Sequence, residues 1–136
     1  MTICVLDTDV VIAALDRQDA HHQAAVSTLR ELSSDGVSLL LSLVNYAETL
    51  VRPAQDERTM RAAVSAIDAM GVVLVAPTPP LAREAARLRA HNISLADGFA
   101  LATARAHGAW LATYDRRVRR ALPVAGVELA PALDRD

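Results

Sequence analysis

The stretch "CVLDTDVV" (Cys4–Val11) decides the fold. Its first half is a short apolar run bounded by polar residues, the pattern of an interior β-strand. Its second half sets Asp7 and Asp9 at the strand's tip, and "TDVVIAALD" then has the spacing of a helix. Carboxylates at the end of a buried strand must be solvated, paired, or holding a cation.

The same strand-then-helix unit recurs outward from this point. Residues 2–6 form the first strand. "DAHHQAAVSTLRELSSDG" is a helix carrying His22, Val26, Leu29 and Leu32 at helical spacing, and 37–42 is a second strand. "LVNYAETLVRP" is a short helix ended by Pro53. "DERTMRAAVSAIDAMG" carries Met60, Val64, Ile67 and Met70 on one stripe. A third strand covers 72–76. A helix over roughly 80–91, with proline in its first turn, turns Leu81, Ala85 and Leu88 inward. "SLADGFALATARAHG" has almost no charge before Arg105, so it is a helix buried on most sides. "AWLATY" (109–114), the short helix "DRRVRRAL" and a fifth strand "GVELA" complete the chain. Strict alternation argues an α/β fold in three α/β/α layers around a parallel sheet of about five strands. Residues 1–136 read as one domain, the last few as a loose tail.

The composition narrows the class. Just over half the residues are hydrophobic (52%) and 22% are charged, which is globular. Aromatics are only 3%, which argues against the stacking platforms of many RNA-binding folds. The net charge of −2 offers no global basic field, so a polyanion would be held by a local patch or through a metal. The chain has no Lys, and its only cysteine is Cys4. That excludes an internal disulfide, makes Cys4 a small core residue, and suits a reducing, cytoplasmic setting. "VVIAAL" is far too short to span a bilayer.

Four acids stand out, and each has an ordinary explanation taken singly. Asp7 ends a strand where a turn favours Asp. Glu48 precedes Arg52 by four residues, the favourable order for a surface pair. Asp97 completes a capping box with Ser94, and Asp115 opens a helix as its N-cap. Jointly they say more. Ligands of an open α/β sheet sit outside the carboxyl ends of its strands, where Asp7 and Asp115 both fall. Asp97 sits on an otherwise apolar helix. Glu48 shares a face with Val44 and Val51, which turns it partly inward. Converging carboxylates raise one another's pKa unless a cation intervenes. Hard oxygen ligands select Mg²⁺ or Mn²⁺. Such ions activate water in phosphodiester hydrolysis.

At these residues the chain resembles the PIN-domain family, and within it the VapC-type toxins of bacterial toxin–antitoxin pairs. "VLDTDVVIAAL" is similar to the family's opening strand with its first acid, here Asp7. "SLVNYAETL" resembles the segment supplying the second acid, Glu48, and "ISLADGFALATA" the third, Asp97. "LATYDRRV" resembles the closing strand and turn, with Asp115 as fourth acid and Thr113 as its companion. The resemblance spans almost the whole chain. It implies adjacent first and fourth strands, and a Mg²⁺-dependent endoribonuclease with Asp7, Glu48, Asp97 and Asp115 as catalytic residues and metal ligands. It also implies an RNA substrate, a homodimer and a cognate VapB-type antitoxin. One departure is Asp9, where relatives often carry Ser or Asn. It either adds charge to the site as an auxiliary acid or caps the helix.

"DRRVRR" supplies the basic patch. Arg116 and Arg117 are candidate substrate contacts, since guanidinium groups fork onto phosphate oxygens. The alternative is a solvated helix face with Asp115 and Arg119 paired. His21 and His22 are adjacent rather than i,i+4, so they make a poor zinc site. His22 is expected to edge the core and His21 to face water. His91 and His107 fall near helix C-termini, where imidazole is electrostatically at ease.

Two other functions compete. "LDTD" also fits the opening D-x-D of haloacid-dehalogenase-type phosphatases with Asp7 as nucleophile, but those need a basic residue, most often Lys, against the phosphate. A catalytically inactive PIN-like scaffold binding RNA or protein is the second, and the presence of all four acids weighs against it.

Overall fold

The computed structural model describes residues 1–134. In chain order the elements are β1 (Ile3–Leu6), α1 (Thr8–Leu15), α2 (His22–Ser34), β2 (Ser38–Ser42) and α3 (Leu43–Leu50). They continue with α4 (Glu57–Ala69), β3 (Val73–Val75), α5 (Pro79–Leu88), α6 (Leu95–Ala106), β4 (Trp110–Ala112) and α7 (Arg116–Ala125). Short 3₁₀ turns lie at Pro53–Gln55, Arg89–His91 and Pro131–Leu133.

All strands run parallel in the order β3-β2-β1-β4. The central strands read as apolar runs because helices cover both faces, and their side chains divide with period two. Val5, Leu40 and Leu111 enter the core beneath α5, α6 and α7. Cys4, Leu6, Leu39, Leu41 and Ala112 enter the opposite core with residues of α1, α2 and α4. This is the three-layer α/β/α arrangement expected from the alternation.

The fifth strand is reduced to a single bridge. Leu111 N–H donates to Glu128 O (3.0 Å), and Ala130 N–H donates to Leu111 O (2.9 Å). The ladder stops there because β4 is only three residues long and the chain turns at once into Pro131, which has no N–H to give. β3 is shorter than the expected 72–76 and lies at the sheet edge, with Val73 and Leu74 exposed. The expected tail is packed as far as Leu133, which is fully buried; residues 135 and 136 lie outside the described residues.

Two features aim the site. Cys4–Leu6 pair in register with Trp110–Ala112, so β1 and β4 end level. Asp7 N–H then donates to Ala112 O (2.9 Å), and Asp7 and Thr113 leave the sheet side by side. α6, whose Gly98, Ala100, Leu101, Ala102, Thr103 and Ala104 are buried, packs against β1 on one side and α5 on another. A Cβ at Gly98 would sit 2.7 Å from Ala85 O, so the missing side chain is what lets α5 approach.

Candidate active site

The site is built at the carboxyl edge of β1 and β4, and Asp7, Asp97 and Asp115 are each held by the turn that follows a strand or opens a helix. Asp7 is the N-cap of α1 and is 1% exposed. Its Oδ1 accepts from Thr8 N–H (2.9 Å) and its Oδ2 from the Thr113 hydroxyl (2.7 Å). The same hydroxyl oxygen accepts Asp115 N–H (3.2 Å), so Thr113 ties the first acid to the fourth. Asp115 is the N-cap of α7, accepting Arg117 N–H (2.8 Å) and Val118 N–H (3.2 Å) on Oδ1. Asp97 and Ser94 form the expected capping box at the start of α6.

Asp9 does not cap α1, because Asp7 holds that position. Its Oδ2 accepts Tyr114 N–H (3.0 Å) across the molecule, while its Oδ1 is buried with no hydrogen-bond partner. Glu48 differs from expectation as well: it lies on the exposed face of α3, with Val51 also exposed. The surface of α3 turns outward there because Asn45, Thr49 and Leu50 are its buried residues. No ion pair joins Glu48 to Arg52, or Asp115 to Arg119. Among the described residues the ion pairs are Glu84 with Arg87 and with Arg105. Arg119 instead donates through Nε to Thr113 O (3.1 Å).

Electrostatics joins the five acids. Burial pushes the Asp7 carboxyl well above the usual range, and the charges of Asp9 and Asp97 add to this against the lowering bonds from Thr113 and Thr8. Asp9 is raised to about 6 by burial, opposed by the Tyr114 N–H, with Asp115 and Asp97 raising it further. Asp97 is raised by burial and by the charges of Asp115 and Glu48, against the Ser94 bonds. Among the described residues no cationic side chain forms an ion pair with any of these acids, a costly arrangement for buried charge.

The donor set is all oxygen, which suits a hard divalent cation. The orphaned Asp9 Oδ1 is a free ligand atom in a buried place. Among the described residues, however, no three Asp, Glu, His or Cys side chains stand together as a ready set of metal ligands. The residues fit a hard cation in charge and donor type, and a closed coordination shell would require side-chain movement.

Sequence reasoning missed Asn45. It is fully buried, and its Nδ2 donates to Thr8 Oγ1 (3.0 Å) and to Ala96 O (3.1 Å). It therefore links α1, α3 and α6, the helices that carry Asp9, Glu48 and Asp97. The signal was available: Asn45 and Thr49 are polar residues at i,i+4 on the inward face of a short helix. His22 edges the core through Nδ1 and Ala13 O (2.7 Å). His21 is exposed as expected but also stacks on Tyr114, with centroids 4.2 Å apart. Arg116 and Arg117 are both exposed on the first turn of α7.

An α/β/α fold with acids gathered at the end of its first and fourth parallel strands defines a class of domain by its layers and by the edge that carries its acids. The family model of the PIN domain matches residues 4–121, and the chain belongs to that family. Solved structures share the fold. VapBC2 from Rickettsia felis, solved bound to a promoter DNA fragment, superposes with a TM-score of 0.73 at 14% identity, over 95% of this chain and 98% of that one. FitAcB from Neisseria gonorrhoeae gives 0.68 at 24% identity, covering 96% and 98%. The Mycobacterium tuberculosis toxin VapC20, described as cleaving the sarcin–ricin loop, gives 0.69 at 21% identity, covering 87% and 94%. No curated protein sequence matches the chain significantly.

Proposed function

We propose that this PIN-domain protein is a Mg²⁺-dependent endoribonuclease, the toxin of a toxin–antitoxin pair. One observation carries the reading: a nearly fully buried Asp7 is crowded by Asp9 and Asp97 with no ion-pair partner among the described residues. When bound, Mg²⁺ or Mn²⁺ would neutralise the cluster and supply the Lewis acidity that activates water and offsets phosphate charge. Asp7 and Asp97 would hold it, with Asp9 Oδ1 as a further oxygen donor. Glu48, exposed on α3, would complete the shell or orient the attacking water. Asp115 would support an outer water or a second ion. Thr113 fixes the Asp7 carboxylate by donating to it, and Arg116 reaches the phosphate from the lip. A Lys-dependent phosphatase using Asp7 does not suit a PIN domain without any Lys.

The test is cleavage of labelled total RNA by antitoxin-free protein with Mg²⁺ or Mn²⁺, with EDTA, and with Asp7→Asn. Discrete metal-dependent fragments from the wild type alone are expected. Equal fragments from Asp7→Asn would remove the assignment. A binding scaffold is the second reading, favoured by the lack of a ready ligand set among the described residues. A scaffold would hold its RNA or protein partner equally well in EDTA and as Asp7→Asn.

The partner would be a VapB-type antitoxin. A crowded anionic site invites an inserted cationic side chain, with Arg best suited to forking onto carboxylates. Inhibition that survives removal of every basic residue in the partner's contacting segment would exclude this route. We also propose a homodimer in the cytoplasm, supported by the exposed apolar edge at Val73 and Leu74. No helix among the described residues is long and apolar enough to cross a membrane. Sedimentation at several concentrations tests the dimer.

A further inference from the structure

An RNA-cutting site made of carboxylates repels its own substrate, and a chain of net charge −2 gives no general attraction to offset this. Something local must hold the strand. On the segments next in sequence to Asp97 and Asp115 lies a notch of about 150 Å³ lined by His91, Asn92, Arg117, Arg120 and Ala121. Its far wall is one face of α7, where 117, 120 and 121 align at i, i+3 and i+4. Its near wall is the turn at Arg89–His91 and Asn92, immediately ahead of the Ser94–Asp97 capping box. Arg117 N–H is itself bonded to Asp115 Oδ1. Both walls therefore continue directly into turns that hold site acids.

The charge of the notch is uncompensated. Among the described residues neither Arg117, Arg120 nor His91 forms an ion pair, while Arg87 and Arg105 share Glu84. The lining holds no acid. Asn92 adopts a left-handed backbone, φ 62°, which ends the 3₁₀ turn and sets His91 against α7. Two guanidinium groups and an imidazole around a volume of this size match the oxygens of one phosphate. Phosphate contacts of this kind place a nucleic-acid strand without reading its bases.

We propose that this notch is a phosphate subsite for the RNA backbone, formed by Arg117, Arg120 and His91. It grips a nucleotide flanking the bond to be cut and thereby holds the strand across the acids. The assignment moves the main phosphate grip away from Arg116, which does not line the notch, and gives His91 a role that its place at a helix end did not suggest. It rests on the reading of the acid cluster as a nuclease site, but binding tests it without cleavage.

The experiment is fluorescence anisotropy of a short labelled single-stranded RNA in EDTA, across a salt series. The proteins are wild type, Arg117→Ala/Arg120→Ala, His91→Ala, and the control Arg58→Ala/Arg61→Ala on the exposed face of α4, with folding checked by circular dichroism. Each lost phosphate contact on a single strand lowers the slope of log K against log salt by about 0.7. The notch double variant removes the grip on one phosphate, so it is expected to lose roughly 0.7 of slope and tenfold or more in affinity at low salt. The control pair should match wild type. Unchanged slope and affinity in the folded double variant would overturn the subsite, even if the wild type proves to be a metal-dependent nuclease. Equal loss in the control pair would overturn it too, since the attraction would then be diffuse. If the wild type cuts no RNA yet the notch variants alone lose binding, the subsite stands and the nuclease reading fails. Notch variants that bind RNA normally but lose an acidic peptide that wild type holds would assign the notch to a protein partner and overturn the proposal.

Discussion

At the scale of single residues, the cost of assembling the site is concentrated on Asp7 and Asp9. A carboxyl whose folded pKa is raised binds its proton more tightly folded than unfolded. Metal-free stability from that group is therefore lost as pH rises from the ordinary value near 3.8 through the folded one, which is about 6 for Asp9. Asp7→Asn should be more stable than wild type in EDTA, by a margin that widens between pH 4.5 and 7.5 in parallel denaturant titrations. The amide can keep the local bonds, since Thr113 Oγ1 can accept where it now donates. A margin that shrinks with pH would mean that the Asp7 carboxylate is paired rather than stranded. Asn45→Ala removes the two side-chain bonds that join three helices and should cost about 1–3 kcal/mol. The same change should impair cleavage more than its stability loss explains, measured as activity at a temperature where both proteins are folded. Burial pushes the Cys4 thiol up to about 12, so it is a core residue and not a nucleophile.

At the scale of elements, the α5–α6 contact is the most demanding. Gly98→Ala should raise intrinsic helix propensity by up to about 1 kcal/mol if α6 stood alone. In this packing the new Cβ meets a backbone oxygen at 2.7 Å, which cannot move as a flexible side chain would. Overpacking of that kind costs roughly 1–3 kcal/mol, so the net effect should be destabilising. The sign of the change in denaturation midpoint decides between the two. The burial of the helix in "SLADGFALATARAHG" is legible from its lack of charge before Arg105. The close approach at Gly98 was not legible, because it depends on where α5 lies. "DRRVRR" had a similar limit: helical spacing was plain, but which Arg would face a cavity depended on the turn at His91.

At the scale of the whole molecule, the sheet order sets what the acids can do. Parallel β1 and β4 end in register, so residues 106 positions apart, Asp7 and Thr113, share a hydrogen bond. A cation that binds this edge should stabilise the folded state by mass action, about 2.7 kcal/mol at a hundredfold excess over its Kd. Thermal melts with Mg²⁺ or Mn²⁺ should show a rise in Tm that is absent in Asp7→Asn. No shift in wild type at millimolar ion would count against a metal-holding cluster.

The chain's pattern by itself determined the layered α/β fold, most element positions, the capping roles of Asp97 and Asp115, and the gathering of acids at one edge. Hydrophobic period and capping chemistry are local, so they can be read along the chain. Tertiary structure alone decided that Asp9 reaches Tyr114, that Glu48 stands exposed, that Asn45 spans three helices, and that a fifth strand shrinks to one bridge. Those outcomes turn on which backbone groups meet across the sheet, and that is set by the packing of distant segments.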